Sequence, residues 1–259
     1  MNQSVLFFDK IKDLLHRYKR FLPFALGAIL ILIILLIVII SSAKPEPVPE
    51  INAAAVDRAA VLSNPNKVIL IEKYAENNAC YKENKKLEVK GIMLHSVGSS
   101  QPSAKVFARN YNVEYPYNSS ICPHAFLQSD GTVYQILPWE TAGWHAGGSA
   151  NATHIGIEMC EPDTIKYTAA NQFDIVDEAA AREYVQGTYR TAVNLFAQLC
   201  IQYNLDPLEE GVIISHTEGY YQGTASDHGD PEYVWRNLGL NFTMDGFRND
   251  IAARMTELQ

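Results

Sequence analysis

The pattern of apolar and polar positions separates a membrane-like segment from a longer globular part. Phe21 to Ile40 form an uncharged and almost wholly apolar run of 20 residues. A helix of that length, at ~1.5 Å per residue, spans roughly 30 Å, which is the thickness of the hydrocarbon core of a bilayer. The pattern therefore predicts one transmembrane helix, placed at residues 21–43.

Charged residues beside this apolar run predict its orientation. Basic residues precede the run and acidic residues soon follow it: Lys10, Lys12, Arg17, Lys19 and Arg20 before, Glu46 and Glu50 after. Because positive charge stays in the cytoplasm, residues 1–20 are predicted to be a cytoplasmic tail and the rest of a single-pass membrane protein to lie outside. The alternative is a cleaved signal peptide and secretion, since Ser41 and Ala43 form a small-x-small site, although signal peptides normally have a shorter apolar core.

Residues 44–87 are predicted to connect the membrane segment to a globular domain. Proline alternates with charged residues from Lys44 to Glu50, which is typical of a stiff, extended polyproline II spacer. The stretch from about 51 to 80 begins with alanine-rich sequence and predicts a helical lead-in. The globular domain is expected at residues 88–259.

Beyond residue 88, short apolar runs alternate with two amphipathic stretches. The runs predict strands at residues 89–94, 125–128, 132–136, 155–159 and 211–215, and the stretches predict helices at 184–203 and 245–258. Asp130 and Gly131, between the second and third strands, are a strong hairpin-turn signal. This order predicts an α/β domain with a central mixed β-sheet flanked by helices.

The composition limits which partners, cysteine motifs and disulfides can be expected. The formal net charge is -8, and the basic residues near the N-terminus make the remainder of the chain more acidic still, so a nucleic-acid partner is not expected. The four cysteines, Cys80, Cys122, Cys160 and Cys200, form no CxxC pair, which argues against a zinc ribbon or a thioredoxin-type motif. Outside the cytoplasm they could be buried thiols or form one or two disulfides.

Two histidines stand directly after predicted strands. His95 and His216 each follow a buried strand, where a sheet delivers side chains into a cleft at its edge. A catalytic zinc ion needs a third protein ligand and keeps its fourth position open for water. Asp230, followed by Pro231, is the best candidate for that ligand. Each residue alone is more often structural, so the prediction depends on the set.

Several motifs in one order resemble a known family. Residues from about 90 to 250 resemble the zinc amidases that include peptidoglycan recognition proteins and phage lysozyme-type amidases, most closely clostridial and phage-derived members. The motifs are Met93 to Ser96, His124 to Gln135, Gly143 to Gly147, His154 to Glu158, Ile214 to His216 and Asp230 to Trp235. The fold that this resemblance implies is the peptidoglycan recognition protein-like amidase fold.

The resemblance also implies roles for individual residues. His95, His216 and Asp230 stand at the Zn²⁺-ligand positions, and Glu158 stands at a catalytic acidic position. His228 lies where many relatives carry lysine, so its role stays open: it stabilises the oxyanion, only orients Asp230, or contacts substrate. Trp144, His145 and His124 are predicted to contact substrate; for His124 and Trp144 a structural or packing role is the alternative.

The implied activity is zinc-dependent hydrolysis of the amide bond between N-acetylmuramic acid and L-alanine in bacterial peptidoglycan. The ion would activate a water molecule, and Glu158 would accept its proton. One alternative is a binding module for peptidoglycan without catalysis, although all three metal positions carry competent ligands. Another is a zinc hydrolase acting on peptides, but the HExxH helix of common metalloproteases is absent from the sequence.

Overall fold

A computed structural model describes residues 68–114 and 121–259. The predicted cytoplasmic tail, transmembrane helix and proline-rich spacer therefore lie outside the described residues. Among the described residues, no helix has the length and apolar character needed to cross a membrane.

A six-stranded mixed sheet forms the centre of the described domain. Its strands are β1 (Ile69–Glu72), β2 (Gly91–Ser96), β3 (Ala125–Leu127), β4 (Thr132–Gln135), β5 (His154–Met159) and, later in the chain, β8 (Ile213–Ser215). They are ordered β1-β4-β3-β5-β2-β8. Only β3 and β4 pair antiparallel, through the predicted Asp130-Gly131 turn, and the other neighbours are parallel. The predicted mixed sheet is confirmed.

Six helices and a separate hairpin complete the described elements. The helices are α1 (Ala79–Glu83), α2 (Ala104–Tyr111), α3 (Glu178–Tyr203), α4 (His216–Tyr221), α5 (Glu232–Asn237) and α6 (Met244–Leu258), with a 3-10 turn at Ser149–Ala152. The hairpin consists of β6 (Ile165–Ala169) and β7 (Gln172–Ile175). Helix α3 begins six residues before the predicted start, because Asp177 caps it by accepting a hydrogen bond from the Ala180 amide at 3.1 Å.

The helical lead-in predicted for residues 51 to 80 is wrong for residues 69–72. These residues form β1, which pairs in parallel with β4 at the edge of the sheet. The strand leaves Ile69 and Leu70 exposed, so it carries no alternation of buried and exposed positions that would have indicated it. Residues 79–83 are helical, as α1.

Alternation along β2 and β5 decides which side chains reach the site. Ile92, Leu94, Ile155 and Ile157 point into the core that α3 and α6 cover. Side chains of the intervening positions project from the opposite face, since successive residues of a strand alternate. His95 and Glu158 are such positions, and they are paired in register across β2 and β5. The sheet therefore places an imidazole and a carboxylate side by side.

Candidate metal centre and catalytic site

Three side chains far apart in the sequence meet above one edge of the sheet. The Nδ1 atoms of His95 and His216 lie 3.0 Å apart. Asp230 places Oδ2 at 3.3 Å from His95 Nδ1 and Oδ1 at 3.6 Å from His216 Nδ1. All three residues are buried, and their ligating atoms lie within 4.8 Å of one another. The three predicted metal ligands therefore converge on one point.

Local structure fixes each of these side chains. His95 lies in β2, and His216 is the first residue of α4, directly after β8. A capping box holds that helix start: the Ser215 hydroxyl accepts from the Glu218 amide at 3.0 Å, and the Glu218 carboxylate accepts from the Ser215 amide at 3.1 Å. The Ser96 amide donates to Asp230 Oδ2 at 3.2 Å, which ties the third ligand to the end of β2.

Charge at the centre favours a bound cation. Burial, together with a positive charge on His95, lowers the pKa of His216 to about 4, so this imidazole is neutral at neutral pH. Burial opposes ionisation of Asp230, but hydrogen bonding and charge from His95 outweigh it and lower the pKa of this carboxyl. Burial likewise opposes a charge on His95, yet Asp230 and Glu158 raise its pKa. The carboxylates thus favour a positive charge where the ligands meet.

The donor set fits zinc. Two imidazole nitrogens and one carboxylate oxygen are ligands that catalytic zinc ions use, with a fourth position left for water or substrate. The three residues line a cavity of about 530 Å³, so the centre is open to a ligand. Tyr111, Ile121 and Trp144 also line this cavity, and Trp144 is 46% exposed.

Glu158 faces the same cavity with an unused oxygen. Its Oε2 atom is buried and has no hydrogen-bond partner among the residues that the structure describes. Burial raises the pKa of this carboxyl to about 7, although the charge of His95 acts in the opposite direction. A carboxyl group with a pKa near neutrality, beside a metal centre, is suited to accept and return a proton.

His228 lies at the open side of the centre. Its ring centroid is 4.4 Å from that of His216, and its Nδ1 is 3.1 Å from the Ser226 hydroxyl. His228 is exposed and lines the cavity, so one ring nitrogen is free of the Ser226 contact. The side chain is therefore placed to meet a ligand that enters the cavity.

A family model described as N-acetylmuramoyl-L-alanine amidase matches residues 85–233, more than half of the chain. The chain belongs to this amidase family. The resemblance predicted from the motifs is thereby confirmed, and so is the predicted class of enzyme at the level of the family. The match begins three residues before the predicted start of the globular domain, residue 88.

Individual amidases resemble the chain more weakly. The N-acetylmuramoyl-L-alanine amidase CwlH of Bacillus subtilis strain 168 is 36% identical over 74 residues, which cover 27% of this chain and 29% of CwlH. The chain thus matches less than a third of that relative. The Staphylococcus aureus hydrolase AmiA, solved in complex with its ligand, has 19% identity and a TM-score of 0.54, covering 82% of this chain and 93% of its own. A mutant of PlyL has 15% identity and a TM-score of 0.50, covering 72% and 99%. These structures show the amidase fold.

Two residues that were predicted to contact the substrate of this amidase have both ring nitrogens engaged by other groups of the chain. His124 is fully buried: its Nε2 donates to the Thr141 carbonyl at 2.8 Å, and its Nδ1 accepts from the Gly156 amide at 2.9 Å. His145 lines the cavity, but its nitrogens contact His95 at 2.9 Å and the His154 carbonyl at 3.0 Å. Neither ring keeps a free nitrogen for substrate. Trp144, by contrast, is exposed at the cavity, where a ligand can reach it.

The sequence did not indicate two further features of the site. Ser226 contacts both His216 Nε2, at 3.4 Å, and His228, yet a lone serine in a loop carries no recognisable signal. Glu161 is a second buried carboxylate near Glu158, and it accepts from the Gly98 amide and the Tyr233 hydroxyl, each at 3.0 Å. The four cysteines are buried, and none belongs to the metal centre.

Proposed function

We propose that this amidase hydrolyses the bond between the lactyl group of N-acetylmuramic acid and L-alanine in peptidoglycan, with a zinc ion held by His95, His216 and Asp230. The observation that carries the proposal is the convergence of the three ligating atoms within 4.8 Å, beside the Glu158 Oε2 atom, which has no hydrogen-bond partner among the described residues. When bound, the ion would lower the pKa of a water molecule towards ~7 and polarise the scissile carbonyl group.

Glu158 is proposed to move the proton. Its unused Oε2 atom accepts the proton of the attacking water, and the same carboxyl then donates that proton to the leaving amine of alanine. A pKa raised to about 7 lets the group exist in both protonation states near neutral pH. The sheet holds Glu158 beside His95 in register, so the base does not need to be recruited by a loop movement.

His228 and Trp144 are proposed to act on the substrate. The exposed imidazole of His228, held at Nδ1 by Ser226, can donate from Nε2 to the oxyanion of the tetrahedral intermediate. Loss of one such donor typically raises the barrier by ~3 kcal/mol. The exposed ring of Trp144 offers an apolar face to a sugar or to the stem peptide. Both residues line the cavity that contains the metal ligands.

A binding module without catalysis is the second candidate. It would need the groove but not the proton-transferring carboxylate. Burial of the Glu158 Oε2 atom, which has no partner among the residues described, costs free energy, because a buried polar atom loses its hydrogen bonds to water. A catalytic role explains why such an unfavourable arrangement is present, whereas a role in binding alone does not. The site therefore favours the enzyme.

Digestion of purified peptidoglycan tests the proposed function. We expect one zinc per chain by elemental analysis, and products in which muramic acid carries a free lactyl carboxylate and alanine a free amine, identified by mass spectrometry. Chelation should stop the reaction, and added zinc should restore it. Cleavage of glycosidic bonds, or folded wild-type protein that binds peptidoglycan without cutting it, would contradict this assignment.

The membrane location stays a proposal drawn from the sequence. The apolar run at residues 21–43 supports an anchor in the cell membrane, with the amidase domain outside, where peptidoglycan lies. The full-length chain is expected to remain in the membrane fraction after an alkaline wash, whereas a chain that begins at residue 44 should be released. Recovery of the full-length chain in the soluble fraction, cut near Ala43, would instead support the cleaved signal peptide.

A further inference from the structure

A directed series of hydrogen bonds connects the backbone to the metal centre. The His154 carbonyl oxygen can only accept, so the hydrogen between it and His145 Nε2, 3.0 Å away, belongs to His145. A neutral imidazole that carries hydrogen on Nε2 has a lone pair on Nδ1. This Nδ1 lies 2.9 Å from His95 Nε2, which must then be the donor. When His95 is neutral, as it must be to bind a metal ion, its own lone pair therefore lies on Nδ1, the atom that faces His216 and Asp230.

We propose that His145 is a positioning residue that fixes the tautomer and the ring orientation of the metal ligand His95. The inference rests on the proposed function, because it assigns a role only if His95 Nδ1 binds the ion. It replaces the substrate contact predicted for His145 from the sequence. The ring does not need to touch peptidoglycan to affect the reaction, since it acts through His95.

The surroundings of His145 hold its ring in place. The ring packs on the backbone of β5 at Gly156, where an added Cβ atom would come within 2.3 Å of the ring Cγ atom. A side chain at position 156 would therefore displace the imidazole. The Asn151 side chain accepts from the backbone amides of His145 and Ala146, at 2.9 and 2.7 Å. We call the series of hydrogen bonds from the His154 carbonyl through His145 to His95 the relay. A glycine, an asparagine and a backbone carbonyl thus hold its central imidazole in place.

The other histidine ligand has a longer outer contact. His216 Nε2 faces the Ser226 hydroxyl at 3.4 Å, compared with 2.9 Å between His95 and His145. The Ser226 hydroxyl donates to the Ala146 carbonyl at 3.2 Å, so it can accept from His216 Nε2, but only over that longer distance. Ser226 therefore provides a matched comparison: it contacts the second ligand from the same relative position through a weaker hydrogen bond.

Zinc affinity of the full-length chain tests the relay. Outer partners of metal ligands typically contribute about 10- to 100-fold in affinity. In competition with a chelator, we expect His145→Ala to weaken zinc binding within that range, and Ser226→Ala to weaken it by less. His145→Gln, whose amide oxygen can accept from His95 Nε2, should recover part of the loss. Saturating zinc should restore much of the turnover of His145→Ala.

A matched control separates this role from a general loss of packing. His154 is as buried as His145, but its side chain contacts Thr153 and the Gly211 carbonyl rather than a ligand. His154→Gln is expected to lower the melting temperature without changing the zinc dissociation constant. Nuclear magnetic resonance spectroscopy of the wild type gives a test that requires no substitution. In the zinc-loaded protein, the Nε2 proton of His95 should exchange slowly with solvent.

The outcomes that overturn the relay differ from those that overturn the proposed function. An unchanged zinc affinity in His145→Ala, with only a lower melting temperature or a higher KM, would mean that His145 is structural or contacts substrate. Rapid exchange of the His95 Nε2 proton in the wild type would also overturn the relay. A folded wild-type chain that binds no zinc would overturn the proposed function and, with it, the role of His145.

Discussion

Replacement of His95 by alanine is expected to abolish hydrolysis of purified cell wall. His95 Nδ1 contacts both other proposed ligands, at 3.0 Å and 3.3 Å, so its removal leaves only His216 and Asp230. Loss of an outer partner already costs about 10- to 100-fold in metal affinity, and loss of a ligand should cost more. Without the ion, water keeps its ordinary pKa and the scissile carbonyl is not polarised. We expect the rate to fall to that of the chelated wild type.

Zinc content and thermal stability must be measured beside the rate. His95→Ala should purify as a folded protein with little zinc, because His95 lies at the end of a strand whose other side chains still fill the core. His154→Ala removes a buried histidine from the neighbouring strand, and this control should keep both zinc and hydrolysis. Full activity in His95→Ala, or in the chelated wild type, would refute the metal mechanism.

The metal ligands could be predicted from the sequence because strands locate them. His95 and His216 follow apolar runs, and parallel strands end at the same edge of a sheet, so the two imidazoles had to be near one another. Asp230 lies in a loop, where no periodicity positions a side chain, so it was chosen for its carboxylate and the following Pro231, and the family motif then supported that choice. The predicted strands and the two predicted helices agree with observed elements to within a few residues, apart from the start of α3, whereas β1 and the β6–β7 hairpin were not predicted as strands.

The roles of His124 and His145 could not be predicted, since they depend on what each ring nitrogen contacts. Both residues belong to motifs of the groove, yet their partners are backbone carbonyls, an amide and another histidine. Gly156 was the one available signal: glycine inside a strand often marks the close approach of another group. Here that group is the imidazole of His145. The edge strand β1 was not predicted as a strand, because two of its apolar residues are exposed and the usual alternation of apolar and polar residues is absent.

Replacement of Glu158 by glutamine is expected to remove turnover while zinc remains bound. The amide has nearly the same shape as the carboxyl group but cannot take up the proton of the attacking water, and loss of general acid–base catalysis typically costs about 10²- to 10⁴-fold. Glu158 is not among the three ligands, so zinc content should stay near one per chain. Steady-state kinetics and elemental analysis of the same preparation measure the two effects.

The dependence on pH gives a second test of Glu158. A carboxyl group whose pKa is raised is protonated below that pKa and then cannot act as a base. Burial raises this pKa to about 7, and a bound cation beside it lowers it, so wild-type turnover should fall with acidification at or below about pH 7. The residual activity of Glu158→Gln should lack that fall. A near-normal rate in this variant would mean that the base is another group.

Glu161 provides the matched control for this experiment, because the chain contains two buried carboxylates three residues apart that differ in their partners. Glu161 accepts hydrogen bonds from Gly98, Tyr233 and Tyr167, whereas Glu158 Oε2 accepts none from the described residues. Burial raises the pKa of Glu161 despite these donors, but its oxygens are already occupied by them and are not placed to take a proton from the attacking water. Glu161→Gln should therefore lower the melting temperature and keep turnover within a few-fold of wild type. If Glu161→Gln loses turnover and Glu158→Gln does not, then Glu161 carries the proton, and Glu158 is not the general base.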